Sequence, residues 1–290
     1  MPSASRTPAK PAKAARAGTR KAKPSGRPKA TAKPTSTKPV EQAQPVEEEK
    51  DALDVQFVDK LATPLRALRN YFRLKVDGLD HLPETGPAIL VANHTGWLGL
   101  DYALTALSVY DALERIPRGM AHENWFRSPT TATFAKKAGL FKVTKDAIAQ
   151  QLAKGHLVMM FPEGERGAFR PGSDYVLEPF ARGFVRVAMA TQIPVVPVCV
   201  LGGEESNPVG TRIESYEQLL DMKGGLPIPR NLLPKPVKWR IRFLKPLAFT
   251  DYAATDADDG DRVHAIAEDV RTRIQRELRK MKVERGHPYL

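Results

Sequence analysis

The spacing of hydrophobic residues changes repeatedly along the chain between the period of a strand and that of a helix. Six short apolar runs predict strands: RLKVDGL, PAILVAN, GLFKV, HLVMMF, PVVPVCVL and KWRIRFLKPL. Between them, longer patterns predict helices in DYALTALSVYDAL, TATFAKKAGL, DAIAQQLAKG and FARGFVRVAMATQ, with a last helix over residues 261–282. This alternation predicts an α/β fold, with a mixed β-sheet flanked by helices. Residues 214–236 are rich in turn formers and predict a surface loop.

An amphipathic helix is predicted over residues 51–72, ahead of the first strand. Its apolar positions recur mostly three or four residues apart, at Phe57, Val58, Leu61, Leu65, Leu68 and Phe72. Such a stripe commonly packs on the core of its own domain, but it can also lie in the headgroup layer of a membrane. Pro64 is expected to break or kink this helix.

The first forty residues differ from the rest in composition. They contain eleven Lys or Arg, seven Pro and no Asp or Glu. A segment so poor in apolar residues cannot bury enough surface to fold alone, so residues 1–50 are predicted to be a disordered basic tail. Without those eleven cations, 34 basic residues stand against 33 acidic ones. The basic character therefore belongs to the tail, and residues 73–290 are predicted to be the main folded domain.

Composition also limits the classes of protein and the partners to be considered. The basic tail could bind an anionic membrane surface, act as a solubilising appendage, or bind nucleic acid, which is the least favoured partner. No apolar run reaches the roughly 18 residues of a transmembrane helix, and no secretory signal pattern is found. We therefore expect a cytoplasmic protein that associates peripherally with the cytoplasmic face of the membrane. The single cysteine, Cys199, predicts neither a disulfide within the chain nor a metal site.

The first candidate for chemistry follows the predicted strand PAILVA directly. There His94 precedes Asp101 by seven positions, where α/β sheets usually bind ligands. A neutral imidazole can accept the proton of an attacking hydroxyl, and a carboxylate can fix its tautomer. On one regular helix the two would lie about 10.5 Å apart, so the segment must turn at Gly96 and Gly99. Alternatively, His94 is a core or capping residue and Asp101 merely opens the next helix.

The second candidate is the turn FPEGERG at residues 161–167, which ends the apolar strand LVMM. Arg166 is suited to bidentate recognition of a phosphate, and Glu163 could orient a hydroxyl group. Gly164 lets the backbone approach an anion or a hydroxyl closely. The simpler alternative is a solvated turn.

These segments, taken with IPVVPV at residues 193–198, resemble the motifs of the glycerophospholipid acyltransferase family, which includes the 1-acyl-sn-glycerol-3-phosphate acyltransferases. The resemblance covers roughly residues 68–282, so it identifies residues 73–290 as an acyltransferase domain. It implies catalytic roles for His94 and Asp101, phosphate binding by Arg166 and Lys145, and acceptor positioning by Glu163 and Gly164.

Three departures from the family pattern concern the acceptor. Six residues rather than four separate His94 from Asp101, which defines a longer-spaced variant of the motif. Lys145 stands where the family has Arg, and it keeps the charge but loses the planar fork. Glu165 and Gly167 replace the Thr and Ser of the family's FPEGTRS block. A neutral or unusual lipid acceptor therefore remains an alternative to a phosphate-bearing one.

The resemblance implies transfer of a fatty acyl group from acyl-CoA or acyl-carrier protein to lysophosphatidic acid or a related lysophospholipid, without a cofactor. A serine hydrolase is disfavoured because the chain lacks a G-x-S-x-G elbow. A zinc hydrolase is disfavoured because no second histidine completes a metal motif after His122 and Glu123. The remaining alternative is a noncatalytic adaptor that binds a membrane or nucleic acid through the basic tail.

Overall fold

The computed structural model describes residues 52–96, 98–170, 172, 174–213, 226–231 and 233–289. Residues 49–290 form one compact unit. The predicted tail at residues 1–50 lies outside the described residues, as does most of the predicted loop after residue 213.

A seven-stranded sheet forms the centre of this unit. Its strands are β1 (Lys75–Asp77), β2 (Ala88–Ala92), β3 (Arg118–Ala121), β4 (Leu140–Lys142), β5 (Leu157–Met160), β6 (Val195–Leu201) and β9 (Arg240–Phe243), in the order β1-β9-β6-β2-β5-β3-β4. The five strands from β6 to β4 are parallel. Strand β9 runs antiparallel to β6, and β1 pairs parallel with β9. The mixed sheet predicted from the sequence is therefore confirmed.

Helices cover both faces of the sheet. They are α1 (Val55–Tyr71), α2 (Leu100–Leu113), α3 (Pro129–Lys137), α4 (Lys145–Ala153), α5 (Glu165–Ala168), α6 (Gly183–Thr191), α7 (Gly203–Ser206) and α8 (Gly260–Arg285). Side chains of β2 alternate between two cores, as the period of a strand requires. Ile89 and Val91 pack with α4, α6 and α8, whereas Leu90 and Ala92 pack with Phe72, Leu104 and Trp239.

Of the break or kink expected at Pro64, the break is wrong, because α1 runs continuously from Val55 to Tyr71. A proline removes one helical hydrogen bond and frees the carbonyl four residues earlier, here that of Lys60. Both Pro64 and Lys60 are exposed, so water can bind the freed carbonyl. The cost of the proline is therefore small enough for packing of α1 to outweigh it.

Two strand pairings were not predicted. Strand β3 has the sequence RGMA, in which Arg118 and Gly119 leave too few apolar residues to show the period of a strand. Gly119 is needed there because a side chain would collide with the ring of Tyr102, 2.4 Å from the position of a Cβ atom. Strands β7 (Val209–Ile213) and β8 (Leu226–Pro229) form a separate antiparallel pair. Strand β8 thus lies within a segment predicted to be only a loop.

Candidate active site

His94, Asp101 and Glu163 meet where parallel strands of the sheet end. Asn93 follows β2 and bridges to β6, because its side chain donates to the Val200 carbonyl at 2.9 Å and accepts from the Val200 amide at 2.8 Å. These two side-chain bonds attach the end of β2 to β6 and fix where the chain leaves β2. His94 is the next residue, so its backbone position is set by two strands.

The structure brings His94 and Asp101 together. Nδ1 of His94 lies 2.5 Å from Oδ2 of Asp101. The Asp101 carboxylate also accepts from the amides of Thr95 at 2.9 Å and Tyr102 at 2.8 Å. The intervening chain turns at Gly96, with φ of 80°, and at Gly99, with φ of 68°, where glycine is favoured. The turns predicted at both glycines are therefore confirmed.

The surroundings of His94 set its basicity. Burial lowers its pKa, but the negative charge of Asp101 and the hydrogen bond to it outweigh burial, so the pKa lies above the ordinary value. The Asp101 side chain has no exposed surface, whereas that of His94 is 22% exposed. The His94 imidazole is therefore hydrogen-bonded to a carboxylate through Nδ1, while part of its ring remains accessible from outside the protein. Such an imidazole can act as a general base through Nε2.

The turn after β5 packs directly against His94. The Phe161 ring stacks on the imidazole, with centroids 4.4 Å apart and ring planes 24° apart. Oε1 of Glu163 accepts a hydrogen bond from the His94 amide at 2.9 Å. Its Oε2 accepts from the Glu178 amide at 2.8 Å and from Arg170. Both oxygens of the Glu163 carboxylate thus accept hydrogen bonds from the protein, and its contact with an acceptor hydroxyl stays a prediction.

The other predicted acceptor residues are placed differently. Gly164 adopts φ of 60° and is the N-cap residue of α5, with open space where a side chain would be. Arg166 is exposed on α5. Lys145 begins α4, and its side chain lies outside the described part of the structure. Phosphate binding by Arg166 and Lys145 therefore stays a prediction.

An apolar cavity of about 670 Å³ opens beside His94. It lies among α1, α2 and α3, so the apolar stripe predicted on α1 faces a cavity as well as a core. Its apolar lining includes Val58, Leu61, Leu65, Ala106, Leu107, Ile116, Phe134 and Leu140, whereas His94, Asp101 and His122 are among the polar groups. Small-molecule sites generally combine a mainly apolar wall with a few polar groups in this way. The cavity can hold an apolar chain with one end at His94.

Two polar groups near the cavity were not identified from the sequence as residues of the site. His122 follows β3 and lies with Nε2 3.4 Å from Oε1 of Glu165. Its Nδ1 accepts from the Asn124 amide at 3.2 Å, which places the proton on Nε2 in the neutral ring. The second missed group is Arg170, buried between Glu163 and Glu204. The position of His122 after a strand could have revealed it, but β3 itself was not predicted.

Neither a metal cluster nor a membrane-spanning helix is found in the described part of the chain. No three His, Cys, Asp or Glu side chains there are placed to hold a metal ion together. Among the same residues, no helix combines the length and the apolar character needed to cross a bilayer.

Comparisons with known proteins identify an acyltransferase domain in this chain. Residues 73–201 match the family model described as Acyltransferase. An uncharacterised protein of Mycobacterium leprae is 35% identical over 228 residues, which are 73% of this chain and 61% of that protein. The chloroplastic 1-acyl-sn-glycerol-3-phosphate acyltransferase LPAT1 of Arabidopsis thaliana is 26% identical over 166 residues, covering 53% of this chain and 43% of the plant protein. The chain thus spans less than two thirds of the length of either relative.

A solved structure extends the likeness to the fold. The 1-acyl-sn-glycerophosphate acyltransferase PlsC of Thermotoga maritima superposes with a TM-score of 0.53 at 16% identity. The match covers 78% of this chain and 79% of PlsC. The matched family model spans β1 to β6 and so includes His94, Asp101 and the turn that holds Glu163. The chain therefore belongs to the PlsC-like glycerophospholipid acyltransferase family.

Proposed function

We propose that this protein transfers a fatty acyl group from acyl-CoA or acyl-carrier protein to the hydroxyl of a lysophospholipid such as lysophosphatidic acid. The observation that carries this proposal is the engaged pair of His94 and Asp101 at one end of an apolar cavity. Family membership supports acyl transfer to a glycerolipid in general. The choice of donor and acceptor is our proposal.

The reaction begins when the acceptor hydroxyl approaches Nε2 of His94. As the hydroxyl oxygen attacks the thioester carbonyl carbon, Nε2 takes the hydroxyl proton and the ring becomes a cation. The buried Asp101 carboxylate, 2.5 Å from Nδ1, stabilises that cation. The carbon–sulfur bond then breaks, and the thiolate takes the proton from Nε2 to leave as a thiol. Direct attack needs neither a covalent acyl-enzyme nor a cofactor beyond the thioester.

The cavity fits the acyl chain in this proposal. Its mainly apolar wall excludes water from the chain, and exclusion of water also strengthens the attraction between His94 and Asp101. Arg166 is exposed on α5 and follows Glu165, which lines the cavity. We propose that Arg166, with Lys145, binds the phosphate of the acceptor.

A membrane surface is the proposed source of the lipid substrate, and the cytoplasmic face is the proposed location. Four large apolar side chains that line the cavity are 40–50% exposed: Leu98, Trp125, Phe134 and Val143. An exposed apolar rim around a lipid-sized cavity is suited to contact with a bilayer. The eleven basic residues of the tail would attract anionic headgroups.

The proposal is tested by acyl transfer with the purified full-length chain. Acyl-CoA and acyl-carrier protein donors are each combined with glycerol phosphate, lysophosphatidic acid, other lysophospholipid and diacylglycerol acceptors. We expect an acylated lysophospholipid with the wild type and no product with His94→Ala, whose circular dichroism should match the wild type. His81→Ala is the matched control, because His81 contacts the Phe243 carbonyl and is not part of the cavity wall. A folded wild type that acylates none of these acceptors would refute the proposal and favour a noncatalytic adaptor.

A further inference from the structure

A buried group of three charged side chains lies next to the His94 loop. The Arg170 guanidinium stands between two carboxylates, because Nη1 donates to Oε1 of Glu204 at 2.6 Å and Nη2 donates to Oε2 of Glu163. The Arg170 side chain is 8% exposed, and those of the two glutamates are almost fully buried. A buried charge is strongly unfavourable unless it is paired and hydrogen-bonded. The three side chains therefore hold one another in a defined arrangement.

This group is connected to the catalytic loop through Glu163. The second carboxylate oxygen of Glu163 accepts the hydrogen bond from the His94 amide. Hydrogen bonds thus run from Glu204 on α7 through Arg170 and Glu163 to the backbone of His94. They join the segments that follow β6, β5 and β2. Neither Arg170 nor Glu204 belongs to the cavity wall, so neither is placed to touch a substrate there.

We infer that Arg170 is a positioning residue for His94. Glu204 supports this role, because it accepts the hydrogen bond from Nη1 of Arg170. Arg170 fixes the Glu163 carboxylate, and Glu163 in turn fixes the His94 backbone so that Nδ1 faces Asp101. The effect on turnover rests on the proposed role of His94 as the base, whereas the effect on the imidazole itself does not.

Electrostatics around the group agree with this role. Burial raises the pKa of Glu163, and the charge of Arg170 opposes that rise. Burial also raises the pKa of Glu204 to about 7, again against the charge and hydrogen bond of Arg170. An ionised Glu163 accepts hydrogen bonds at both oxygens, whereas a protonated one would have to donate at one of them. Arg170 therefore favours the form of Glu163 that can hold the His94 and Glu178 amides together.

The decisive variant is Arg170→Lys, which keeps the positive charge but cannot bridge two carboxylates in one plane. We expect kcat to fall roughly ten- to a hundredfold with little change in KM for the acyl donor, as for a misplaced catalytic group. We also expect the pKa of His94 to fall, because the contacts with Asp101 and the charge of Glu163 raise it in the wild type, whereas the positive charge at position 170 that lowers it is kept in the variant. That pKa is measured by an NMR titration of the full-length chain with labelled histidine, where His94→Ala identifies the signal.

The matched control is Arg285→Lys. Arg285 is also buried, and its Nη2 donates to Glu205, the neighbour of Glu204 on α7, at 2.5 Å. It contacts neither Glu163 nor the His94 loop in the described structure. We expect this control to lower the melting temperature while leaving the His94 titration at its wild-type position. A purely structural role for Arg170 would make the two variants behave alike.

The outcomes separate this inference from the proposed function. An unchanged His94 titration in folded Arg170→Lys overturns the inference, whether or not the protein transfers acyl groups. A shifted titration in a protein that acylates no acceptor supports the positioning role and overturns the proposed function. If Arg170→Lys does not fold, Glu204→Gln removes one ionic anchor of Arg170. This variant should shift the titration in the same direction by a smaller amount, and no shift there counts equally against the inference.

Discussion

Replacement of Asp101 by Asn should disable the candidate base without removing it. Asp101 accepts three hydrogen bonds, from Nδ1 of His94 and from the amides of Thr95 and Tyr102. An Asn side chain has one acceptor oxygen and a donor group in place of the second oxygen. The variant can keep one of the amide bonds, but it loses the negative charge beside the imidazole. Its NH₂ group also favours the wrong tautomer, with the proton on Nε2.

The size of the effect follows from the charge that develops on His94 during attack. At a separation of about 4 Å and an effective dielectric constant of about 20, two opposite unit charges attract by about 4 kcal/mol. Loss of that attraction in the transition state corresponds to a decrease in kcat of about 10³-fold. The pKa of His94 should fall as well, because the charge and hydrogen bond of Asp101 are what raise it against burial.

The assay follows thiol release from the acyl donor, with the preferred acceptor, across about pH 5 to 9. The base must be neutral, so the wild-type rate should rise with pH through the raised pKa of His94. In Asp101→Asn the residual rate should begin to rise at lower pH. Asp111→Asn is the control, because Asp111 lies on the same helix and binds Arg66 and Arg69 near the surface. Near-wild-type turnover by Asp101→Asn, with the pH dependence unmoved, would refute the assigned role of Asp101.

Two further predictions concern packing near the site. Gly203→Ala should lower the free energy of unfolding by about 1 to 3 kcal/mol, because its Cβ would lie 2.4 Å from the Thr95 carbonyl oxygen. In the control Gly183→Ala that atom meets open space, so equal denaturation curves for the two variants would contradict the prediction. Ala106→Phe fills part of the cavity and should shift turnover toward shorter acyl chains in a donor series. An unchanged chain-length profile would show that the acyl chain lies elsewhere.

Secondary structure could be predicted from the sequence where the apolar residues of a segment recur with a single period, either that of a strand or that of a helix. Strand β2 is buried at all five positions, and α8 buries one apolar face, as their patterns require. Strand β3 was missed because four residues that include Arg118 and Gly119 carry no apolar period, and its place depends on pairing with β5 and β4. Pairing between distant segments is a tertiary effect that local sequence does not encode.

The candidate site was predictable to the extent that its geometry follows from local turns. His94 and Asp101 could be paired from the sequence because both glycines between them permit the left-handed backbone that shortens the path. The environment of Glu163 could not be predicted, since His94 reaches it only through the pairing of β2 with β5, and Arg170 and Glu178 only through the way the segment after β5 folds back. A carboxylate next to a glycine looks the same in sequence whether it faces a substrate or the protein interior.

That ambiguity bears on how motif residues should be assigned roles in this family. In this chain one carboxylate, Asp101, touches the imidazole of His94, and another, Glu163, touches its backbone amide. Loss of the first removes the charge and the hydrogen bond at Nδ1, whereas loss of the second removes the contact that positions the backbone together with a smaller charge effect. Both losses reduce turnover, so activity alone cannot distinguish them. The size of the fall in the His94 pKa can, because Asp101 raises that pKa by its charge and by a hydrogen bond, whereas Glu163 raises it by its charge alone.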